Sequence, residues 1–217
     1  EHHRMTVTFG GKEREFPLPN QATINVYNSL SAIALLSEFG LAPEEIAASM
    51  DKLSISATRY SEEEVNGRKV ILHLAKGQNP IACSRAFENI RDYPGKKAVI
   101  LFLDDYFDAA HSVENTAWLF DTDFEFLRDE SIVQVIAAGA RHWDVALRLL
   151  LAELPKEKLS HLRENEAAAG ELRAENADAV FILYDVYTIG LANHVKEQVK
   201  EILAGLPEKK EEPSHAD

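Results

Sequence analysis

Four groups of polar residues in this chain each follow a short apolar run, and they are the places where chemistry can be done. Lys76-Gly77-Gln78-Asn79 follows Val70-Ile71-Leu72-His73-Leu74, and Asp104-Asp105 follows Ala98-Val99-Ile100-Leu101-Phe102-Leu103. Gly139-Ala140-Arg141 follows Ile132-Val133-Gln134-Val135-Ile136-Ala137, and Asp185 follows Ala179-Val180-Phe181-Ile182-Leu183-Tyr184. An ammonium, an amide, carboxylates and a guanidinium at such ends can bind and orient a polar substrate. Other chemistries lack their residues. There is no Gly-x-x-x-x-Gly-Lys-Ser/Thr phosphate loop, and no Gly-x-Ser-x-Gly elbow to activate Ser84 or Ser112. A single cysteine, Cys83, rules out an intramolecular disulfide and a cysteine-based zinc site, and it reads as a buried inert thiol. His2, His3, His73, His111, His142, His161, His194 and His215 are scattered along the chain, so no metal site is expected.

The runs themselves dictate the architecture. Each is of strand length and rich in β-branched residues. Helical patterns lie between them at about 81–93, 142–153 and 187–204. Continuous apolar strands alternating with helices predict an α/β fold with a mostly parallel, Rossmann-like sheet covered on both faces. In such sheets functional groups gather at the carboxyl ends of the strands. Ahead of the sheet, Met5–Phe9 and Glu13–Leu18 around Gly10-Gly11 read as a short hairpin. A helix is expected over 24–39 from Val26, Leu30, Ile33 and Leu36, closed by Gly40, and another from Pro43. The Ala- and Glu-rich segment 159–177 reads as an exposed helix, and Pro207–Asp217 as a disordered tail.

Composition narrows the partners. Of 217 residues, 46% are hydrophobic and 27% charged, enough to bury a core. The net charge of −13 argues against a nucleic-acid partner, which demands clustered cations. No apolar stretch approaches the roughly 20 residues needed to span a bilayer. The polar start, Glu1-His2-His3-Arg4-Met5, reads as a cut and not as a signal peptide, so a cytoplasmic location is expected.

Several segments together carry a family resemblance. Leu18-Pro19 and the stretch Ile24-Asn25-Val26-Tyr27-Asn28-Ser29-Leu30-Ser31-Ala32-Ile33-Ala34 resemble the Pro-Gly-x-His-Asn-x-x-Asn-x-x-Ala-Ala junction that opens the C-terminal domain of Mur ligases, with Ile24 in place of the histidine. Ser56–Glu62, with Arg59, sits where the MurT branch carries Gly-Arg-x-Glu. Leu74–Pro80 is similar to its Lys-Asn-Pro-Ala-Gly loop, with Gly77-Gln78 inserted. Ala138–Leu149 resembles Gly-x-Arg-x-x-Asp-x-Ala-x-Arg-Leu, and Tyr187-Thr188 its Tyr-Thr pair. The resemblance covers about residues 18–204. It implies residues 1–20 as the last hairpin of a Mur ligase central domain, 21–206 as a MurT-like C-terminal domain, and 207–217 as tail.

What the resemblance implies is an ATP-dependent carbon–nitrogen ligase of peptidoglycan synthesis, active as part of the complete enzyme and inactive as this fragment alone. ATP and magnesium, held mainly by a central domain, would phosphorylate the D-glutamate α-carboxylate of lipid II. Ammonia from a GatD-type glutaminase would then attack the acyl phosphate. Asn25 and Asn28 would face the adenine, Arg59 a phosphate or ribose, and Lys76 and Asn79 the substrate. Asp108, with Asp105 second, would orient a catalytic histidine of the glutaminase. Plainer readings stand beside these. Asn25 and Asn28 can start a helix, Arg59 can pair at the surface, and Lys76 and Asp108 can be loop residues. Arg141 and Arg148 can pair with Asp144 or Glu153, and Trp118 can be packing. The segment Asp105–Asp121 departs from the MurT pattern Ala-Asp-Gly-x-Asp-x-Ser-Trp-x-Trp-Asp and is about three residues longer. That departure leaves two rivals: a glutaminase-independent Mur-type ligase, and a non-catalytic interaction domain retaining the fold.

Overall fold

The computed structural model describes residues 3–9, 11–18, 23–52, 60–75, 77–103 and 116–209. The chain divides into two compact units, residues 1–56 and 57–217.

In the first unit β1 (His3–Phe9) and β2 (Lys12–Leu18) form the expected antiparallel hairpin. Helices α1 (Thr23–Glu38) and α2 (Pro43–Met50) follow. Gly40, at φ +87°, lets Leu41 N–H reach back to the Leu36 carbonyl at 3.2 Å and ends α1. Phe16 from the hairpin, Ile33 from α1 and Ile46 from α2 are buried together, with Met5, Val7 and Leu36 around them. The hairpin therefore shares a core with both helices, and this compact unit runs well past residue 20.

The second unit is a six-stranded sheet. Its strands are β3 (Tyr60–Val65), β4 (Arg68–Leu74), β5 (Lys97–Phe102), β6 (Ile132–Ala138), β7 (Leu159–Leu162) and β8 (Ala179–Tyr184), in the order β3-β4-β8-β5-β6-β7. All neighbours are parallel except β3 against β4. Side chains alternate between two cores, as a pleat requires. Ile71, Val99, Leu101, Phe181 and Leu183 face α3 (Pro80–Asp92) and α4 (His142–Leu151). Val70, Leu72, Ile100, Ile182 and Tyr184 face α5 (Ile189–Ala204). The four apolar runs are thus the four central strands.

Three regions differ from the sequence expectation. The edge strands β3 and β7 (Tyr-Ser-Glu-Glu-Glu-Val and Leu-Ser-His-Leu) have no apolar run to announce them, because each is only half covered. The segment 159–177 is no exposed helix. After β7 it forms 3-10 turns at Asn165–Glu171 and Ala174–Asn176, with Ala168, Ala169, Ala174 and Ala177 buried. Small alanines let this backbone lie close to the sheet, and buried Gln134 satisfies it. Its amide donates to the Glu171 carbonyl at 2.8 Å and its oxygen accepts from Arg173 N–H at 2.9 Å. Finally, Pro207–Lys209 are held. Arg68 donates to the Pro207 carbonyl at 2.9 Å, and Lys209 N–H to the Asn66 carbonyl at 3.1 Å. The Asn66 amide donates to the carbonyls of Leu203, Ala204 and Leu206, closing α5. Both turn residues, Asn66 and Gly67, have positive φ, and a Cβ at Gly67 would collide with the Lys209 carbonyl.

Arg148 ties α4 to the turns before β6. It donates to the Leu119 carbonyl at 3.0 Å, to the Thr122 carbonyl at 2.9 Å and to both oxygens of Glu125. Glu153, the other candidate partner, pairs instead with Arg128. We expect Arg148→Ala to cost about 2–4 kcal/mol, because two buried carbonyls lose a charged donor. Glu125→Gln should cost under about 1 kcal/mol, since that carboxylate is half exposed. Urea denaturation of both variants checks the order. Glu63 is held down to about pKa 2, chiefly by the hydrogen bond from Lys196 and then that from Lys200. Its folded pKa is depressed, so its contribution is present above about pH 4.5 and is lost as pH falls toward 2. The melting temperatures of wild type and Glu63→Gln should therefore differ at pH 7 and converge near pH 2.

Candidate functional site

Strand connections decide where a ligand can sit. From β4 the chain crosses one face through α3 to β5, and from β6 through α4 to β7, moving steadily toward one edge. It then returns from β7 to insert β8 between β4 and β5, and leaves across the other face through α5. The α3 connection after β4 thus lies on one face and α5 after β8 on the other. Open α/β sheets bind their ligands in the crevice expected where neighbouring connections leave on opposite faces, and in this strand order that position falls beside β8.

The segments rimming that crevice are built tightly. After β4, Ala75 is fully buried and donates its N–H to the Tyr184 carbonyl at 3.0 Å, locking the loop to β8. Gln78 takes φ +61°, a left-handed conformation uncommon for a non-glycine residue. Asn79 follows at the N-cap of α3, its Oδ1 accepting from Ala82 N–H at 3.0 Å. After β8, Asp185 and Thr188 are both buried and close a small loop. Asp185 N–H donates to Thr188 Oγ1 at 2.9 Å, and Thr188 Oγ1 donates to the Asp185 carbonyl at 3.1 Å. The Asp185 carboxylate also accepts from Val186 N–H. This loop holds Val186 and Tyr187 exposed at the rim. Beyond β6, Gly139 has φ +111° and donates its N–H to the Leu162 carbonyl at 3.1 Å, turning the chain into α4. Arg141 pairs there with Asp144 at 3.2 Å, one of the partners its spacing suggested.

The sequence candidates fall as follows. Asn79 is on the rim, but its side-chain oxygen caps a helix, which is a positioning task. Asn25 and Asn28 lie in the first two turns of α1 in the other unit, Asn25 partly buried and Asn28 exposed. Asn28 lies further into the helix, where asparagine is about 0.5 kcal/mol worse than alanine. Arg59, Lys76, Asp105 and Asp108 lie outside the described residues. The Asp185–Thr188 loop was visible in the sequence only as a strand end and a Tyr-Thr pair. The three-residue spacing of a carboxylate and a hydroxyl at a strand end is the signal for such a turn.

Other titratable groups near the strand ends have structural explanations. Burial pushes His73, near the end of β4, down to about 4, so it is neutral at pH 7; Tyr60 packs edge-on against its ring. Cys83 is buried and directs its thiol to the Ala75 carbonyl at 3.0 Å. Trp118 is buried in the core beneath α3 and α4. Among the described residues no three histidines, cysteines or carboxylates converge on a metal-sized space. Two histidines do meet, against the scatter seen in the sequence: His142 and His161 bring their Nδ1 atoms to 3.0 Å. A cleft of about 380 Å³ beside α3 is lined by Ile81, Arg85, Glu88, Asp121 and Phe126, with Arg85 already paired to Glu88.

A sheet of this order, with one antiparallel edge strand and an attached hairpin–helix unit, is the fold of Mur-type peptide ligases. The chain is similar to MurF from Acinetobacter baumannii with a TM-score of 0.66 and 15% identity, over 90% of this chain and 43% of that one. It is similar to MurF from Thermotoga maritima in complex with ADP with a TM-score of 0.59 and 12% identity, over 93% and 44%. Residues 76–189, just over half of the chain, match the family described as MurT ligase C-terminal, and the chain belongs to that family. It is 27% identical over 172 residues to the lipid II isoglutaminyl synthase (glutamine-hydrolyzing) subunit MurT of Streptococcus pneumoniae. It is 28% identical over 142 residues to the subunit of the same name in Staphylococcus aureus. Those matches take in 78% and 65% of this chain but only 37% and 31% of the relatives, so the chain spans about a third of their length.

Asn79 offers a direct test of its structural role. Asn79→Ala should lower stability by about 1 kcal/mol, whereas Asn79→Asp, which keeps the accepting oxygen and adds a favourable charge at a helix start, should not. Equal losses in both variants, measured by chemical denaturation, would show that the amide does something the cap does not require.

Proposed function

We propose that this chain is the C-terminal domain of a MurT-like ligase that amidates the D-glutamate α-carboxylate of lipid II in the cytoplasm, with ammonia supplied by a GatD-type glutaminase. The observation that carries this reading is the family match over residues 76–189, which begins in the loop after β4 and ends at the start of α5. It therefore encloses most of the crevice rim. Residues 1–20 would be the final hairpin of a preceding central domain and 21–206 the C-terminal domain.

The chemistry asks for orientation and charge neutralisation. ATP supplies a phosphoryl group that turns the carboxylate into an acyl phosphate, after which ammonia attacks the carbonyl carbon and inorganic phosphate leaves. The first turn of α3 gives the N–H groups of Ala82 and Cys83 to Asn79, so the turn is held closed by its own cap. Lys76, in the loop before it, would neutralise the acyl phosphate, with Asn79 holding that loop in place. Asn25 and Asn28 would take the adenine edge, and Arg59 a phosphate or ribose. Asp108, or Asp105, would orient the histidine of the glutaminase. A magnesium ion and most contacts to ATP would fall to the central domain.

A second reading is favoured by one observation. The segment Asp105–Asp121 does not keep the Asp-Gly of the MurT pattern, as expected if a Mur-type ligase had lost dependence on a glutaminase. Co-elution with a GatD-type glutaminase separates the two. We expect a stable complex of the complete ligase, and loss of glutamine-dependent but not ammonia-dependent amidation in Asp108→Ala. No complex at tens of micromolar, about the weak end of specific association, would leave the family standing and select the glutaminase-independent ligase.

A further inference from the structure

Helix α4 reads His-Trp-Asp-Val-Ala-Leu-Arg-Leu-Leu-Leu and is apolar around most of its circumference. One side is accounted for: Val145, Ala146 and Leu149 are buried toward β6 and β7. The opposite side is not. Trp143, Leu147, Leu150 and Leu151 recur at i, i+4, i+7 and i+8, which puts them on one face, and they are 67%, 53%, 37% and 59% exposed. A helix that is apolar all round belongs in an interior, so this stripe, about 12 Å long, has the composition of a covered surface. The charges on the helix itself are matched, Asp144 with Arg141 and Arg148 with Glu125. The turn that Arg148 holds against α4 is different. Arg148 binds the carbonyl of Thr122, and Thr122 stands between Asp121 and Asp123. Both aspartates are exposed, and neither has an ion-pair partner among the described residues. An apolar centre thus adjoins an acidic margin that nothing neutralises.

We propose that the outer face of α4, together with Asp121 and Asp123, docks the glutaminase subunit through an apolar patch of that partner rimmed by lysine or arginine; this rests on the amidotransferase function given above. Charge selects the class of partner. A second copy brings a chain of net charge −13 to an acidic margin, and an anionic bilayer repels that margin too. A protein with cations around an apolar centre fits both parts of the surface. Position agrees. Asp105 and Asp108, the acids that would orient the partner's histidine, lie in sequence between β5 and the 3-10 turn Ala117–Leu119, which leads into Asp121 and Asp123. Trp143 starts the stripe just after β6, the neighbour of β5 in the sheet. A partner engaged with either acid therefore has this face within reach. A specific interface takes about 800 Å² from each partner, more than four side chains offer, so the stripe forms the apolar centre and the acidic turn part of the rim.

Calorimetric titration of the complete ligase with a GatD-type glutaminase tests the surface. The double variant Leu147→Glu, Leu151→Glu should weaken the complex about thirtyfold or more, as loss of a buried apolar centre does, and leave ammonia-dependent amidation unchanged. The double variant Asp121→Lys, Asp123→Lys should weaken it as well, and added salt should weaken the wild-type complex more than that variant's. Hydroxyl-radical footprinting needs no variant: oxidation of Trp143 in the wild-type ligase should fall when the glutaminase is added. Leucine variants that bind as tightly as wild type, or a Trp143 equally reactive in the complex, would overturn the docking surface and leave the glutaminase dependence standing. Absence of any complex with the wild type would remove both. Self-association of the ligase that the leucine variant abolishes, with glutaminase binding intact, would make the occupant a second copy and overturn the proposal.

Discussion

The rest of this structure depends on the main-chain pairing of β8 with β4 on one side and β5 on the other. Residues 179–184 are the last strand in sequence and the innermost in space, and all six of their side chains are buried. Until that strand is inserted, β3-β4 and β5-β6-β7 are two fragments with open edges. The same insertion makes the loops diverge and so creates the crevice. Architecture and site are therefore consequences of one long-range pairing, and the tight Asp185–Thr188 loop is the point at which the two meet.

Burial explains what could be read beforehand. The four central strands are covered on both faces, so composition alone marks them, and the helices between them keep a clear apolar stripe. The edge strands are covered on one face or less, and β3 carries three glutamates in succession. A signal for β3 was nonetheless present: Asn66-Gly67 between two β-prone stretches is what a tight hairpin turn demands. The alanine-rich segment misled because alanine favours helices when nothing else decides. Here a buried glutamine and the need for close approach to the sheet decided instead. Pro207–Lys209 misled for a similar reason, since their composition is that of a tail while their carbonyls and N–H groups are taken up by Arg68 and Asn66.

The candidate site was legible as a place and less so as a list of residues. Strand ends can be read from hydrophobicity, and they are where the crevice lies. Individual roles depend on directions that no sequence spacing fixes. Asn79 stands where substrate contact was expected, but its carbonyl oxygen is engaged with its own helix. Asn28 is exposed on a helix whose interior asparagine does not favour. His142 and His161 are nineteen positions apart and meet only because α4 packs back over β7.

The clasp formed by Asn66, Gly67 and Arg68 around Pro207–Lys209 lies at the amino ends of the parallel strands, the pole opposite the crevice. A strand of seven residues such as β4 spans about 23 Å, so a surface attachment or dye placed at Lys209 stands roughly that far from the crevice. The molecule therefore has a natural orientation for tethering, with its anchored pole toward the support and its crevice toward the solution.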